Sequence, residues 1–288
     1  MNTNRVLLID IDSKIKNLAL HKVERYYLDK GYEVWWNYPL ARNVVDSIWV
    51  SCVFTKNRDQ CLEWEGLAHI GGSGWDLSSK LPAEIERVKP RINLGFTTRG
   101  CFRKCHYCIV PEKEGPLQVE GDLLDLWDGK GREIILLDNN ILGLPDHFMK
   151  ICVQARANRL KLDFNQGLDH RLLTDDIVKA LKSTRHFELR FAYDHPSMSH
   201  SVEKAVKLLK KHGINRAIWY VLVGFDTTFE EDLGRLEQLK GLGQAVFVQR
   251  YETIYLDRDY INLARWANQH SHFKKKTWPQ FKANPQAK

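Results

Sequence analysis

Three cysteines, Cys101, Cys105 and Cys108, stand within eight residues in the order C-x3-C-x2-C, inside the stretch Thr97-Thr98-Arg99-Gly100-Cys101-Phe102-Arg103-Lys104-Cys105-His106-Tyr107-Cys108-Ile109-Val110-Pro111. A loop this short can aim three thiolates at one point, and soft thiolates in that number suit an iron–sulfur cluster or zinc. A closed structural zinc site takes four protein ligands. His106 or the distant Cys152 would have to supply the fourth. A cubane cluster held by three thiolates leaves one iron open to an exogenous ligand, so the odd count points toward a reactive site. Three clustered cysteines cannot pair evenly as disulfides, and nothing marks the chain as secreted. Phe102 and Tyr107 can cover the loop as apolar packing.

With Tyr107 just before the third cysteine, the motif resembles the signature of radical S-adenosylmethionine (radical SAM) enzymes over roughly Ile92 to Tyr251. The resemblance implies a [4Fe–4S] cluster on Cys101, Cys105 and Cys108. Its fourth iron would take the amino and carboxylate groups of S-adenosylmethionine. One electron would then give methionine and a 5′-deoxyadenosyl radical that abstracts hydrogen from a substrate. An external donor such as flavodoxin or ferredoxin is implied. Tyr107 would offer a main-chain contact to adenine, and Gly224 would let backbone approach the same ring. Thr98-Arg99-Gly100-Cys101 and Val110-Pro111 look most like the methylthiotransferase and cobalamin-dependent branches.

The elements that must position this loop read as a repeating β/α order. Six apolar runs, 93–97, 133–137, 160–164, 187–191, 217–223 and 245–248, alternate with helical patterns over 147–158, 174–183, 200–212 and 229–242. Thr174 with Asp175 and Asp176, and Ser201 with Glu203, are helix starts. Each run ends in polar or glycine residues, and in (β/α) barrels the carboxyl edge of the strands is the active face. Asp138, Asn139 and Asn140 can hydrogen-bond a methionine moiety or a substrate, or simply form a turn. Gln166 and Arg190 are placed to meet a ribose or a carboxylate. A charged Arg190 inside an apolar strand needs a partner, an anion or Asp194. Arg250 and Tyr251 can face a substrate, and His195 can serve as a proton donor or stand as an incidental loop residue.

The N-terminal third reads as strand 5–9, helix 17–30, strands 32–36 and 46–54, and a short strand 67–70 leading into Gly71-Gly72-Ser73-Gly74. That glycine loop is either a phosphate cradle or a tight turn, and Asp10 and Asp12 are ligands or turn residues. The pattern Leu8-Ile9-Asp10-Ile11-Asp12-Ser13 followed by Gly31-Tyr32-Glu33-Val34 resembles cobalamin-binding domains. The Asp-x-His-x-x-Gly ligand motif is absent, so cobalamin is not expected. Methylthiotransferases carry three N-terminal cysteines for a second cluster, whereas only Cys52 and Cys61 occur here. The fold class expected is α/β: a partial (β/α)6 TIM-like barrel (89–255) preceded by a small Rossmann-like, degenerate cobalamin-binding-like domain (1–88). A C-terminal helix and basic tail (256–288) complete it.

No run of about 20 apolar residues or signal peptide is read, so a cytoplasmic protein without a membrane span is expected. Net charge is +7, which permits an RNA substrate as well as a small molecule. From His270 to Lys288 there are five lysines and no acidic residue, interleaved with Phe273, Trp278 and Phe281. These aromatics either stack on RNA or dock on the barrel. The function expected is a radical SAM enzyme of unknown substrate. The alternatives are a non-catalytic zinc, Fe–S or nucleic-acid-binding protein and, within the enzymes, a methyl- or methylthio-transferase.

Overall fold

Val6, Leu7, Leu8 and Ile9 have apolar side chains on both faces of the chain, and in the computed structural model they form the centre of a parallel sheet. Residues 3–283 are described. They fall into two units. One holds Met1–Gly95, Cys108–Gly115 and Leu124–Gly131, and the other Phe96–Tyr107, Pro116–Leu123 and Arg132–Lys288.

In the first unit, β1 (Arg5–Asp10), β2 (Glu33–Trp36), β3 (Ser47–Ser51) and β4 (His69–Gly71) lie in the order β2-β1-β3-β4, all parallel. Helix α1 (Leu18–Asp29) starts where Asn17 Oδ1 accepts from Leu20 N at 3.1 Å, a cap worth about 1 kcal/mol. Val6 and Leu8 pack with Leu20, Val23 and Ile85 of α2 (Ala83–Glu86). On the other face, Leu7 and Ile9 meet Ile48, Val50, Cys52, Cys61 and Trp64. The last two belong to a 3-10 helix, Thr55–Trp64, that the sequence pattern did not announce. Its polar composition hides a layer that buries only two side chains. The short β5 (Leu94–Gly95) and α3 (Val110–Lys113) also belong to this unit.

The second unit carries β6 (Thr98–Arg99), antiparallel to β7 (Gln118–Val119). The short α4 (Leu123–Leu126) follows β7 in the chain. Next come β8 (Glu133–Leu136), α5 (Pro145–Ala157), β9 (Lys161–Phe164), α6 (Asp175–Ser183), β10 (Arg190–Ala192), α7 (Ser199–Lys211), β11 (Ile218–Val223), α8 (Phe229–Gly241) and β12 (Ala245–Arg250). β8 pairs with β9, β10 with β11, and β11 with β12, every pair parallel. Parallel bridges Leu162–His186 and Leu168–Phe191 join the two sets. Among the described residues, no barrel is closed.

Helix starts follow local chemistry. Thr174 Oγ1 accepts from Ile177 N at 3.3 Å. Thr228 and Glu231 form a reciprocal capping box on α8. The start expected at Ser201 lies two residues inside α7, where its hydroxyl instead donates to Met198 O at 2.7 Å. The run expected as one strand over 93–97 is also different. Thr97 and Thr98 turn their N–H groups to the Asp138 carboxylate instead of to a neighbouring strand.

After β12, Asp257 caps α9 (Arg258–Asn268), followed by α10 (His270–Lys275) and α11 (Trp278–Ala283). Phe273, Trp278 and Phe281 are 3%, 5% and 1% exposed. Trp278 stacks on Phe281 and meets Trp266 and Phe229. These rings are therefore core residues, and the stacking of RNA on them is ruled out by their burial. The end of the basic tail, 284–288, lies outside the described residues. Among the described residues, no helix is long and apolar enough to cross a membrane.

Candidate active site around the cysteine loop

Strand β8 ends at Leu136, and the next polar residues, Asp138, Asn139 and Asn140, all grip the chain leading to the first cysteine. Asp138 Oδ1 accepts from the Thr97 and Thr98 hydroxyls at 2.7 and 2.6 Å and from Thr98 N. Asn139 Oδ1 accepts from Gly100 N at 2.9 Å. Asn140 Nδ2 donates to Cys101 Sγ at 3.4 Å, and Arg103 N donates to the same sulfur at 3.3 Å. Thr97 and Thr98 are fully buried, as is most of Asp138. Burial pushes the Asp138 carboxyl up, against the hydrogen bonds from Thr98 and Thr97.

The next two strand ends contribute a carboxylate each. After β9, Asp169 Oδ2 accepts from Arg103 Nε at 2.8 Å, and Oδ1 from Arg171 Nε at 2.7 Å. Burial works against the Asp169 charge, but the bonds and charges of Arg171 and Arg103 outweigh it and hold the carboxyl below its ordinary range. After β10, Asp194 Oδ2 accepts from the Tyr107 hydroxyl at 2.7 Å, and Oδ1 from Leu222 N at 3.2 Å. Burial pushes Asp194 up; burial and the Asp194 charge push the Tyr107 phenol up. Three successive strands thus each send an acidic residue from their carboxyl side to residues 97–107.

The six cysteines divide by environment. None is in a disulfide; Cys101, Cys105 and Cys108 are partly exposed, while Cys52, Cys61 and Cys152 are fully buried. Burial, helped by Cys61 and Asp12, pushes the Cys52 thiol up to about 12. Burial also raises Cys61 and Cys152. Only the motif cysteines therefore combine access with soft-donor chemistry. Among the described residues, no three His, Cys, Asp or Glu side chains are gathered as a metal site. The donor set still fits an iron–sulfur cluster. A second feature agrees: Asn140 Oδ1 is buried without a hydrogen-bond partner, on the same amide that touches Cys101. That acceptor suits an N–H donor arriving beside the first thiol.

The remaining expected residues fall as follows. Arg190 is ion-paired with Asp163 on β9, not with Asp194, which is taken by the Tyr107 hydroxyl. Gln166 is exposed. Gly224 has φ +75°, and a Cβ there would strike Ile254, so it is required by its turn. Its N–H donates to Asp232 Oδ2 at 2.8 Å. Phe225 meets Tyr107 and Tyr251 edge-on, with ring centres 5.5 and 4.8 Å apart. Arg250 turns back to Tyr255 O. His195 caps the turn at 196–198 by accepting from Ser197 N at 3.2 Å.

In the first unit, the glycine loop is a packing device. Gly74 N donates to Cys52 O at 3.0 Å, and a Cβ on Gly72 or Gly74 would overlap the backbone of Cys52 or Phe54. Asp12 accepts from Val53 N at 2.7 Å and from Phe54 N and Asn57 Nδ2 at 2.9 Å. Both features hold loops together, as the turn readings expected.

Sequence reasoning gave no role to Asp163, Asp169, Asp232 or Arg235. Asp232 and Arg235 are buried as an ion pair on α8, one turn apart. Arg235 also donates to Tyr193 O at 2.5 Å and to Leu222 O at 2.7 Å, joining the ends of β10 and β11. The i, i+3 spacing of an acid and an arginine beside an apolar face was the available signal.

No family model matches the chain. A tRNA-2-methylthio-N(6)-dimethylallyladenosine synthase of Wolinella succinogenes is 28% identical over 214 residues, covering 62% of this chain and 47% of that protein. The chain thus spans about half the length of this curated relative. At the coarse level, the similarity supports the radical SAM superfamily that the cysteine motif resembles.

Proposed function

We propose that the chain is a radical SAM enzyme whose [4Fe–4S] cluster is held by Cys101, Cys105 and Cys108. The observation that carries this reading is the division of the cysteines: the motif thiols are accessible and the other three are sealed. When bound, the cluster would supply the electron that cleaves S-adenosylmethionine to methionine and a 5′-deoxyadenosyl radical. The protein's own part is positional. Asp138, Asn139 and Asn140 fix the loop entry, Asp169 holds it through Arg103, and Asp194 holds it through Tyr107. The free Oδ1 of Asn140 would accept from the amino group of S-adenosylmethionine.

The strand order supports a partial barrel, with Gln166 and Gly224 at its carboxyl edge and Arg190 within β10 facing the cofactor's ribose or carboxylate. An RNA substrate is favoured by the tRNA named for the similar synthase. An acidic electron carrier and a cytoplasmic setting complete the proposal.

A second reading, methylthio-transfer, is favoured by that relative's name. The sealed Cys52 and Cys61 oppose it, since a second cluster would need reachable thiolates. The test is anaerobic reconstitution, reduction and assay for 5′-deoxyadenosine. Wild type and Cys152→Ala should form it, and Cys101→Ala should not. A chain that binds one zinc and yields no 5′-deoxyadenosine would overturn the assignment.

A further inference from the structure

Strands β10, β11 and β12 have one covered face and one uncovered face. Phe191, Trp219, Val221, Val223, Val246 and Val248 are at most 4% exposed. α8 packs against β11 and β12, and α9 against β12. The alternate residues point the other way. Among them Phe247 is 45% exposed, an unusual state for a phenylalanine in the middle of a strand.

Phe247 is in register with Tyr220, and their rings meet edge to face with centres 5.7 Å apart. This geometry leaves ring face available. The next pair on the same surface, one step toward the carboxyl ends, is Leu222 and Gln249. At the other side stands Arg190, paired with Asp163 and reaching the Tyr220 hydroxyl. The surface therefore offers two aromatic rings and an amide that both donates and accepts.

We infer that this uncovered face is a nucleobase platform, on which a planar base of an RNA substrate stacks against Phe247 and Tyr220 while Gln249 reads its edge. This rests on the radical SAM reading only for the chemistry that follows binding. An apolar ligand would not need the polar groups, whereas an unstacked base uses both its π-face and its hydrogen-bonding edge. The platform continues upward into the strand ends that hold the cysteine loop, since Asp194 and Leu222 N are joined there. A base lying on it would be oriented toward the reacting end of the site.

The test uses the full chain and an RNA hairpin carrying 2-aminopurine at an unpaired loop position, whose fluorescence falls when it stacks. Phe247→Leu keeps bulk and apolarity but removes the ring. Wild type should quench the probe on binding, and Phe247→Leu should bind about tenfold more weakly with little quenching. Saturating S-adenosylmethionine should leave both unchanged. Cys101→Ser, which abolishes cluster binding, should bind like wild type, so a failure of the cluster assignment would not be mistaken for a failure of the platform. Equal affinity and quenching in wild type and Phe247→Leu would overturn the inference. Displacement of the probe by S-adenosylmethionine would also overturn it, by assigning the rings to the cofactor. Thermal unfolding confirms that each variant is folded.

Discussion

The Tyr107 hydroxyl donates to Asp194 at 2.7 Å, joining the residue between the second and third motif cysteines to the carboxyl end of β10. The bond lies across 87 residues of sequence. It makes the loop's conformation depend on strand packing as well as on its own short-range preferences.

Tyr107→Phe tests that dependence. The ring and its contact with Phe225 remain, but Asp194 loses a buried donor. Stability should fall by about 1–3 kcal/mol, the cost of leaving a buried acceptor unpaired. Urea unfolding measures the loss, and hydrogen exchange should quicken in the cysteine loop. Unchanged stability and exchange would show that water replaces the hydroxyl freely.

Thiol labelling should divide the cysteines evenly. In the native protein at mildly alkaline pH, a small alkylating reagent should modify Cys101, Cys105 and Cys108 rapidly. Cys52, Cys61 and Cys152 should react only on unfolding, because burial removes access and raises their pKa. Peptide mapping by mass spectrometry reads the outcome. Rapid labelling of Cys52 would revive the second-cluster reading.

Arg235→Met leaves the buried Asp232 side chain without its guanidinium, with Gly224 N and the hydroxyls of Thr227 and Tyr260 still donating to it. Loss of one member of a buried pair costs about 3–5 kcal/mol. The denaturant midpoint should drop accordingly, with the ends of β10 and β11 loosened first. A cost under about 1 kcal/mol would mean that Arg235 contributes through packing alone.

His170 makes stability depend on pH. Burial, with the charges of Arg171 and Arg103, lowers its pKa from 6.5 to about 4, although Asp169 opposes the shift. The native state then binds fewer protons than the unfolded state. The contribution is present above pH 6.5 and is lost as pH falls toward 4, by about 3 kcal/mol in all. Asp138 and Asp194, raised by burial, contribute with the opposite slope and are common to both proteins in a difference measurement. Between pH 4.5 and 6.5 (about the middle of that window), His170→Gln should show a shallower rise of stability with pH than wild type. Parallel curves would place the proton elsewhere.

Elements with strong local periodicity were legible from the sequence. α6 differs from its expected span by one residue because Thr174 caps it and Ile177, Val178 and Leu181 recur on one face. The Asp138-Asn139-Asn140 triplet was visible as a polar strand end, but its target was not. A carboxylate's partner 41 residues away leaves no local trace. Arg190 shows the same limit. An arginine in an apolar strand demanded a counterion, and the nearer acid in sequence, Asp194, was the obvious candidate. Its counterion is instead Asp163 on β9, 27 residues earlier in the chain. The 3-10 helix at 55–64 was hidden because it buries two residues of ten and so carries no apolar period.

The cluster assignment is tested most directly by electron paramagnetic resonance of the reconstituted, reduced protein with and without S-adenosylmethionine. The account predicts about four irons per chain, a reduced-cluster signal that shifts on adding S-adenosylmethionine, and loss of the signal in Cys101→Ser. A signal indifferent to S-adenosylmethionine, or one retained without Cys101, would contradict an open iron held by this loop.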